Sequence, residues 1–326
     1  MEQIKHLYDR VQARVGREIV GGERVIRLSV IALLVGGHVL IDDVPGTGKT
    51  TFAKAFAASL SLETRRLQCT PDLLPSDMTG VNYFDMKTSE FRFIPGPAFT
   101  NLLLADEINR AMPKTQAGLL ECMEEHQITV EGVTHRLREP FMVIATQNPV
   151  ETRGTYELPE AQLDRFLFRC SMGYPSTEDH IEILRRKFSA ADPAASDEKK
   201  TLPSPVTAEK LAQAVEEVRR VFIHPDLMAY ATALGEATRH DGEVELGASP
   251  RAIVHLLLAA QGFAATAGRD YVLPDDIKEA AVPTLSHRLV LKNDFYRTQG
   301  HDEEIIRRLL EQIPVPTEAI DFSRYS

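Results

Sequence analysis

The chain is short of cysteine, of positive charge and of uninterrupted apolar sequence, and each shortage narrows what it can be. Its three cysteines, Cys69, Cys122 and Cys170, stand far apart with no C-x-x-C spacing. That argues against a disulfide framework or a thiolate metal site and predicts incidental thiols in a reducing compartment. A formal net charge of −10 leaves no basic surplus for a dedicated nucleic-acid binder and favours solubility. The most apolar window, 28–41, is interrupted by Ser29, Gly36, Gly37 and His38, short of the ~18 apolar residues that a membrane helix needs. It reads instead as a buried helix, a glycine stop and a buried strand. Met1-Glu2-Gln3 opens a polar segment without the apolar core of a secretory leader, so a cytoplasmic protein with no membrane segment is expected.

What is present is ordinary globular material: 43% hydrophobic and 26% charged residues over 326 positions, enough for two domains. Ile4, Leu7, Tyr8 and Val11 at three-to-four spacing predict an opening helix, and a second runs to Val35. Strands are expected over 64–69, 101–107, 141–146 and 166–172, alternating with helices. That alternation predicts a parallel sheet covered on both faces. Two segments break the rhythm as β-hairpin candidates: 79–95, with Tyr83, Phe84, Phe91 and Phe93 about a polar turn, and 127–138, about Glu131-Gly132. Residues 1–188 are read as an α/β nucleotide-binding domain. Residues 189–206, rich in Ala, Asp, Ser, Pro and Lys, are read as a linker or mobile loop. Residues 207–326 are read as a small all-α domain with no convincing strand.

The chemistry is carried by a short stretch near the start. The apolar run 38–42 enters a glycine-containing turn, Asp43-Val44-Pro45-Gly46-Thr47-Gly48, followed by Lys49-Thr50-Thr51 and a helix-favouring segment. This is the sequence shape of a P-loop, whose backbone N–H groups wrap phosphates at the mouth of a helix. Lys49 would reach the β- and γ-phosphates, and the Thr50 hydroxyl would sit on a magnesium ion. The usual pattern wants glycine where Asp43 stands, although Gly46-Thr47-Gly48-Lys49-Thr50 is intact. Further on, an apolar strand ends in Asp106-Glu107. Asp106 can hold the metal together with Thr50, and Glu107 can polarise an attacking water. A nucleoside triphosphate and Mg2+ are therefore the expected ligands.

Longer motifs narrow this further: 43–50, Gly96-Pro97-Ala98-Phe99, 104–111 (Leu-Ala-Asp-Glu-Ile-Asn-Arg-Ala), Ala145-Thr146-Gln147-Asn148-Pro149, 154–166 and Gly247-Ala248-Ser249-Pro250-Arg251-Ala252. Together they resemble the MoxR family of AAA+ ATPases along most of the chain, and an acidic residue at the position of Asp43 is common in that family. The resemblance implies a sheet of order 5-1-4-3-2, hairpin inserts and a helical lid. It implies that Asn148 is sensor 1, although on its own Asn148 reads equally as an Asn-Pro turn residue. It implies that Arg165 is an arginine finger serving a neighbouring subunit, where the bare sequence allows an Asp164–Arg165 surface pair. Arg251 becomes sensor 2, and Ile19, Val20 and Gly21 become an adenine-side segment, or by pattern alone a core edge. With a finger that serves the next subunit, the resemblance implies a homo-oligomeric ring, expected as a hexamer. The resemblance also implies ATP-driven remodelling of a partner protein, often one bearing a von Willebrand factor A domain. A nucleic-acid motor of the minichromosome-maintenance type is the alternative, disfavoured by the acidic charge. A nucleotide-switched binding module is another, but no Asn-Lys-x-Asp guanine signature follows Asn148.

Overall fold

The structure, a computed structural model, describes residues 1–44, 46–148, 154–188, 205–292 and 300–316. The described residues form two compact units, His6–Gln213 and Met1–Lys5 with Ala214 onward. Pro45, Pro149 and most of the expected linker, 189–204, lie outside the described residues.

The larger unit opens with helices α1 (Glu2–Glu18, shared with the other unit at its first residues) and α2 (Glu23–Val35). Helix α2 is apolar almost all round and correspondingly buried. It stops at Gly36, whose left-handed φ of 73° lets the following N–H, that of Gly37, reach the Ala32 carbonyl at 2.7 Å. Strand β1 (Val39–Asp42) follows, then α3 (Lys49–Ser59) and β2 (Thr64–Gln68). A short helix α4 (Pro75–Thr79) leads into the hairpin β3 (Gly80–Asp85) and β4 (Glu90–Pro95). Next come β5 (Leu102–Asp106), α5 (Pro113–Glu125) and the hairpin β6 (Gln127–Val130) and β7 (Val133–Arg136). The unit continues with β8 (Met142–Gln147), α6 (Glu160–Leu163), β9 (Phe168–Cys170) and α7 (Thr177–Phe188).

The core sheet runs β2-β5-β8-β1-β9 with every pairing parallel. Counting only these five strands in chain order, this is the expected 5-1-4-3-2. β5 is buried throughout and β8 nearly so, as the unbroken apolar runs require of strands covered on both faces. Register brings the carboxyl ends level: Asp42 pairs with Gln147 and Gln68 with Asp106. Everything that follows those ends, including the loop after β1, therefore gathers along one edge, where open α/β sheets place their ligands.

Both hairpins form. Glu131 and Gly132 have φ of 48° and 83°, the doubly left-handed turn that favours a two-residue hairpin. The hairpins lean on each other through Phe93, which stacks on His135 at 4.2 Å, and through Asn82, which donates to Glu131 at 2.9 Å. Phe84 and Phe91 meet edge-on at 5.2 Å but remain exposed, Phe91 by 72%. Val206, the last residue of the expected linker, is buried and bridges Leu60.

The second unit is helical: Pro225–His240, Pro250–Thr266, Pro274–Leu285 and His301–Gln312. Three of these start on proline, which suits a first turn whose N–H has no partner. Ser249 caps the second of them by accepting from the Ala252 N–H at 3.1 Å. Its core gathers Leu234, Leu256, Phe263, Ile277 and Ile305. One departure from the sequence reading is a small antiparallel pair, Val244–Leu246 with Val290–Leu291. Strands of three and two residues are too short to leave an alternation that a sequence scan can register. Among the described residues no helix is long and apolar enough to cross a membrane.

Candidate functional site

The loop after β1 is built for a polyanion. Gly46 and Gly48 have φ of 87° and 90°, which favours glycine, and a Cβ at either would meet open space. Helix α3 begins directly after Gly48 without a side-chain cap, so its first-turn N–H groups and positive dipole end are left for a ligand. Phe52 and Phe56, stacked at 5.8 Å and fully buried, anchor that helix from behind.

Lys49 turns inward and donates to the carbonyls of Asp43 and, at 2.9 Å, of Gln147. These two oxygens hold the ammonium where phosphate oxygens would. Burial pulls its pKa down, opposed by the charges of Asp43, Asp42, Asp106 and Glu107. Asp43, at the place of the missing glycine, is buried and accepts three backbone N–H groups. Oδ1 takes that of Val44 at 2.9 Å, and Oδ2 takes those of Met172 at 2.9 Å and Gly173 at 3.0 Å. The side chain thus ties the loop to the segment leaving β9, a role for which the sequence offers no local signal.

Beside the loop, the Thr50 hydroxyl donates to Asp106 Oδ2 at 3.0 Å. Asp106 Oδ1 accepts from Thr146 at 2.6 Å, and Oδ2 also accepts from Arg66 at 2.7 Å. Burial works against this carboxylate, but the bonds from Thr146, Arg66 and Thr50 outweigh it and hold its pKa below the usual range. A hydroxyl and a carboxylate sharing one oxygen position fit a magnesium ion that takes its remaining ligands from water and phosphate. No denser group of His, Cys, Asp and Glu suited to a metal occurs among the described residues.

Glu107 sits next door in a left-handed backbone, φ 58° and ψ 51°, a strain that non-glycine residues carry mainly where the surroundings impose it. The imposing group is Thr146, whose hydroxyl accepts the Glu107 N–H at 3.0 Å while donating to Asp106. One buried hydroxyl therefore aims both acids. The Glu107 carboxylate meets Gln68 at 3.2 Å and Arg110 at 3.3 Å. Asn148, also buried, follows β8 directly, and its carbonyl takes a bond from the Asn109 amide at 3.2 Å.

Next to the loop lies a cavity of about 410 Å³, walled by Ile19, Val20 and Gly21 on one side and Gly46, Thr47, Gly48 and Thr51 on another. Met172 to Pro175, Asp179, His180 and Ile183 close it. The structure thus brings the proposed adenine-side segment and the P-loop into one wall system of a size suited to a nucleoside.

Two family models match this chain. One, for the ATPase family associated with various cellular activities (AAA), spans residues 38–168, and one for an AAA lid domain spans residues 236–309. The Bacillus subtilis protein YeaC is 43% identical over 317 residues, 97% of each chain. Chaperone MoxR1 of Mycobacterium tuberculosis is 38% identical over 320 residues, covering 95% of this chain and 83% of that one. This chain belongs to the MoxR family of AAA+ ATPases. A crystal structure of a Cytophaga hutchinsonii protein assigned as an ATPase matches at a TM-score of 0.83 and 35% identity, covering 96% of this chain and 97% of that one. As a MoxR-family ATPase the chain binds and hydrolyses ATP.

In this MoxR-family chain the cavity is lined by Gly46, Thr47, Gly48 and Thr51 of the P-loop but not by Lys49, Thr50, Asp106, Glu107, Asn148 or Arg165. Arg165, just after α6, is ion-paired to Glu124 of α5 at 3.2 Å. Arg251 lies in the first turn of the helix Pro250–Thr266, in the helical unit. Arg66, Gln68 and Thr146, by contrast, were not expected in the site, because they reach Asp106 and Glu107 across neighbouring strands from about forty positions away. Cys69, Cys122 and Cys170 are all buried and free, and burial pushes each thiol up to about 12, which removes them from nucleophilic duty.

Proposed function

We propose that this ATPase works as a ring of subunits, six in number, that couples ATP hydrolysis to the remodelling or activation of a partner protein in the cytoplasm. The partner class implied by the family resemblance is a protein with a von Willebrand factor A domain. Residues 1–188 turn over the nucleotide, and 207–326 form the lid that carries Arg251. The observation that carries the ring is Arg165. Its side chain pairs with Glu124 of α5 and keeps 28% of its surface exposed, which leaves the guanidinium open to the nucleotide of a neighbour. The relative named as a chaperone supports the remodelling role.

Magnesium, when bound at Thr50 and Asp106, supplies charge neutralisation on the phosphates. The chain's own groups do the rest. Asp43 to Thr51 wrap the phosphates, and Lys49 leaves the two carbonyls for phosphate oxygens. Glu107 orients and deprotonates the attacking water, Asn148 helps to aim it, and Arg165 stabilises the charge that develops on the transferring group.

The test is complementation. Glu107→Gln is expected to keep ATP affinity and lose turnover. Arg165→Ala and Lys49→Ala are each expected to be inactive alone, yet to regain activity on mixing, because a mixed ring contains sites with both parts intact. If mixed rings form by native mass spectrometry and no activity returns, the finger does not act between subunits. Sedimentation showing only monomer at micromolar protein with ATP and magnesium would remove the ring altogether.

A further inference from the structure

Two cations of the site, Lys49 and Arg66, are engaged with acceptors that a bound nucleotide and its metal would claim. Lys49 rests on two carbonyls, standing in for phosphate contacts. The second cation is Arg66. Its Nη2 donates to Asp106 Oδ2 at 2.7 Å, the same oxygen that receives the Thr50 hydroxyl at 3.0 Å. The remaining oxygen, Oδ1, is taken by Thr146. Oδ2, where Thr50 and Asp106 converge, is the corner that a magnesium shell needs, and a guanidinium fills it.

The pair contributes little as a structural clamp. β2 and β5 are already fixed by five consecutive parallel pairings, from Thr64 with Leu102 to Gln68 with Asp106. The Arg66 side chain is 45% exposed, and ion pairs that open to water contribute little to stability. Arg66 also has a second acceptor ready, Gln68 Oε1 at 2.6 Å, so it can give up Asp106 without being left unpartnered. A cation that is cheap to displace, placed on the oxygen where a divalent ion belongs, is an electrostatic substitute for that ion.

We propose that Arg66 is a placeholder cation: in the nucleotide-free site its guanidinium occupies Asp106 Oδ2 in place of the metal shell, so that the divalent ion enters with the nucleotide and not ahead of it. This rests on the reading of Thr50 and Asp106 as the magnesium site. Without Arg66, four carboxylates close to Lys49 (Asp42, Asp43, Asp106 and Glu107) would attract a bare divalent ion into an empty site. Metal caught there in advance would draw the carboxylate and hydroxyl into a shell that the incoming triphosphate must then reorganise.

Manganese is the probe, with free Mn2+ read by electron paramagnetic resonance on the full chain. Nucleotide-free wild type is expected to bind Mn2+ weakly. Arg66→Met, which keeps the aliphatic stem, is expected to bind it at least about tenfold more tightly, since one charge-assisted bond no longer competes. Arg66→Lys should return toward wild type. Adding Asp106→Asn to Arg66→Met should abolish the gain. ATP binding by Arg66→Met in the presence of Mn2+ verifies that the variant is folded, and Arg66→Gln serves if it is not. Equal Mn2+ affinity of wild type and Arg66→Met without nucleotide overturns the placeholder role. If Mn2+ fails to strengthen ATP binding even to wild type, it is the metal reading of Thr50 and Asp106 that has failed.

Discussion

Thr146 shows how much of this site depends on a residue with no chemistry of its own. Its wholly buried hydroxyl donates to Asp106 and accepts from the strained Glu107 N–H. Thr146→Val keeps the shape and deletes both bonds. It should cost about 1–3 kcal/mol in stability, because buried polar groups lose their partner. Turnover should fall by about 10–100-fold with ATP affinity nearly kept, because the two acids lose their aim rather than their charge. Thr146→Ser should restore most of the turnover; if Thr146→Val turns over ATP like wild type, the hydroxyl has no aiming role. At this scale the P-loop was legible because its parts are contiguous. Lys49, Thr50 and the glycines announce themselves within a few positions. Thr146, Arg66 and Gln68 were not, since their partners lie across strand pairings that no local window contains. Asp43 fell between the two cases: visible as an exception to a motif, but with its three N–H partners hidden up to 130 positions away.

Among the elements, the start of β1 carries a pH liability. His38 is fully buried: Nε2 meets the Met123 carbonyl at 3.0 Å, and Nδ1 accepts the Val143 N–H at 3.0 Å. The ring thereby links β1, α5 and β8 in its neutral form. Burial lowers its pKa to about 4, with the nearby His126 adding to the effect against the Met123 bond. Because the folded value lies below the unfolded 6.5, the unfolded chain takes up the extra proton first. Stability is therefore full above pH 6.5 and declines as pH falls toward 4, by about 3 kcal/mol over the window. Melting temperatures between pH 7.5 and 5 should show this slope, and His38→Gln should flatten it; an unchanged slope would assign the acid lability elsewhere. Elements with long apolar or alternating runs were readable from the sequence, including both hairpins. The short ones, α4, α6 and the strand pair of the helical unit, were not, because two to five residues complete no period.

For the whole molecule, charge decides between the motor readings. A net charge of −10 is spread over a chain whose first hairpin exposes an apolar surface, including Phe84, Phe91 and Met86 at 85% exposure. Such a surface suits a protein client better than a phosphate backbone. Filter binding of DNA or RNA at low salt is expected to show only weak retention, lost as salt rises. Tight, salt-resistant retention would instead favour the nucleic-acid motor. An α/β part and a helical part were both legible in the sequence, because strands alternate with helices in the first and no convincing strand follows Val206. The two compact units divide at Gln213 and Ala214, and Val206 still packs with the larger unit through Leu60.

The triple grip of Asp43 has one more consequence. The amides of Val44, Met172 and Gly173 share a single acceptor side chain, so one rotation of that carboxylate unlocks all three. Their hydrogen exchange should run on a common clock, while the amide of Asp43 itself, bound to the Gln147 carbonyl at 3.3 Å, keeps time with the sheet. The loop and the far wall of the cavity thus carry a built-in reporter of when they part.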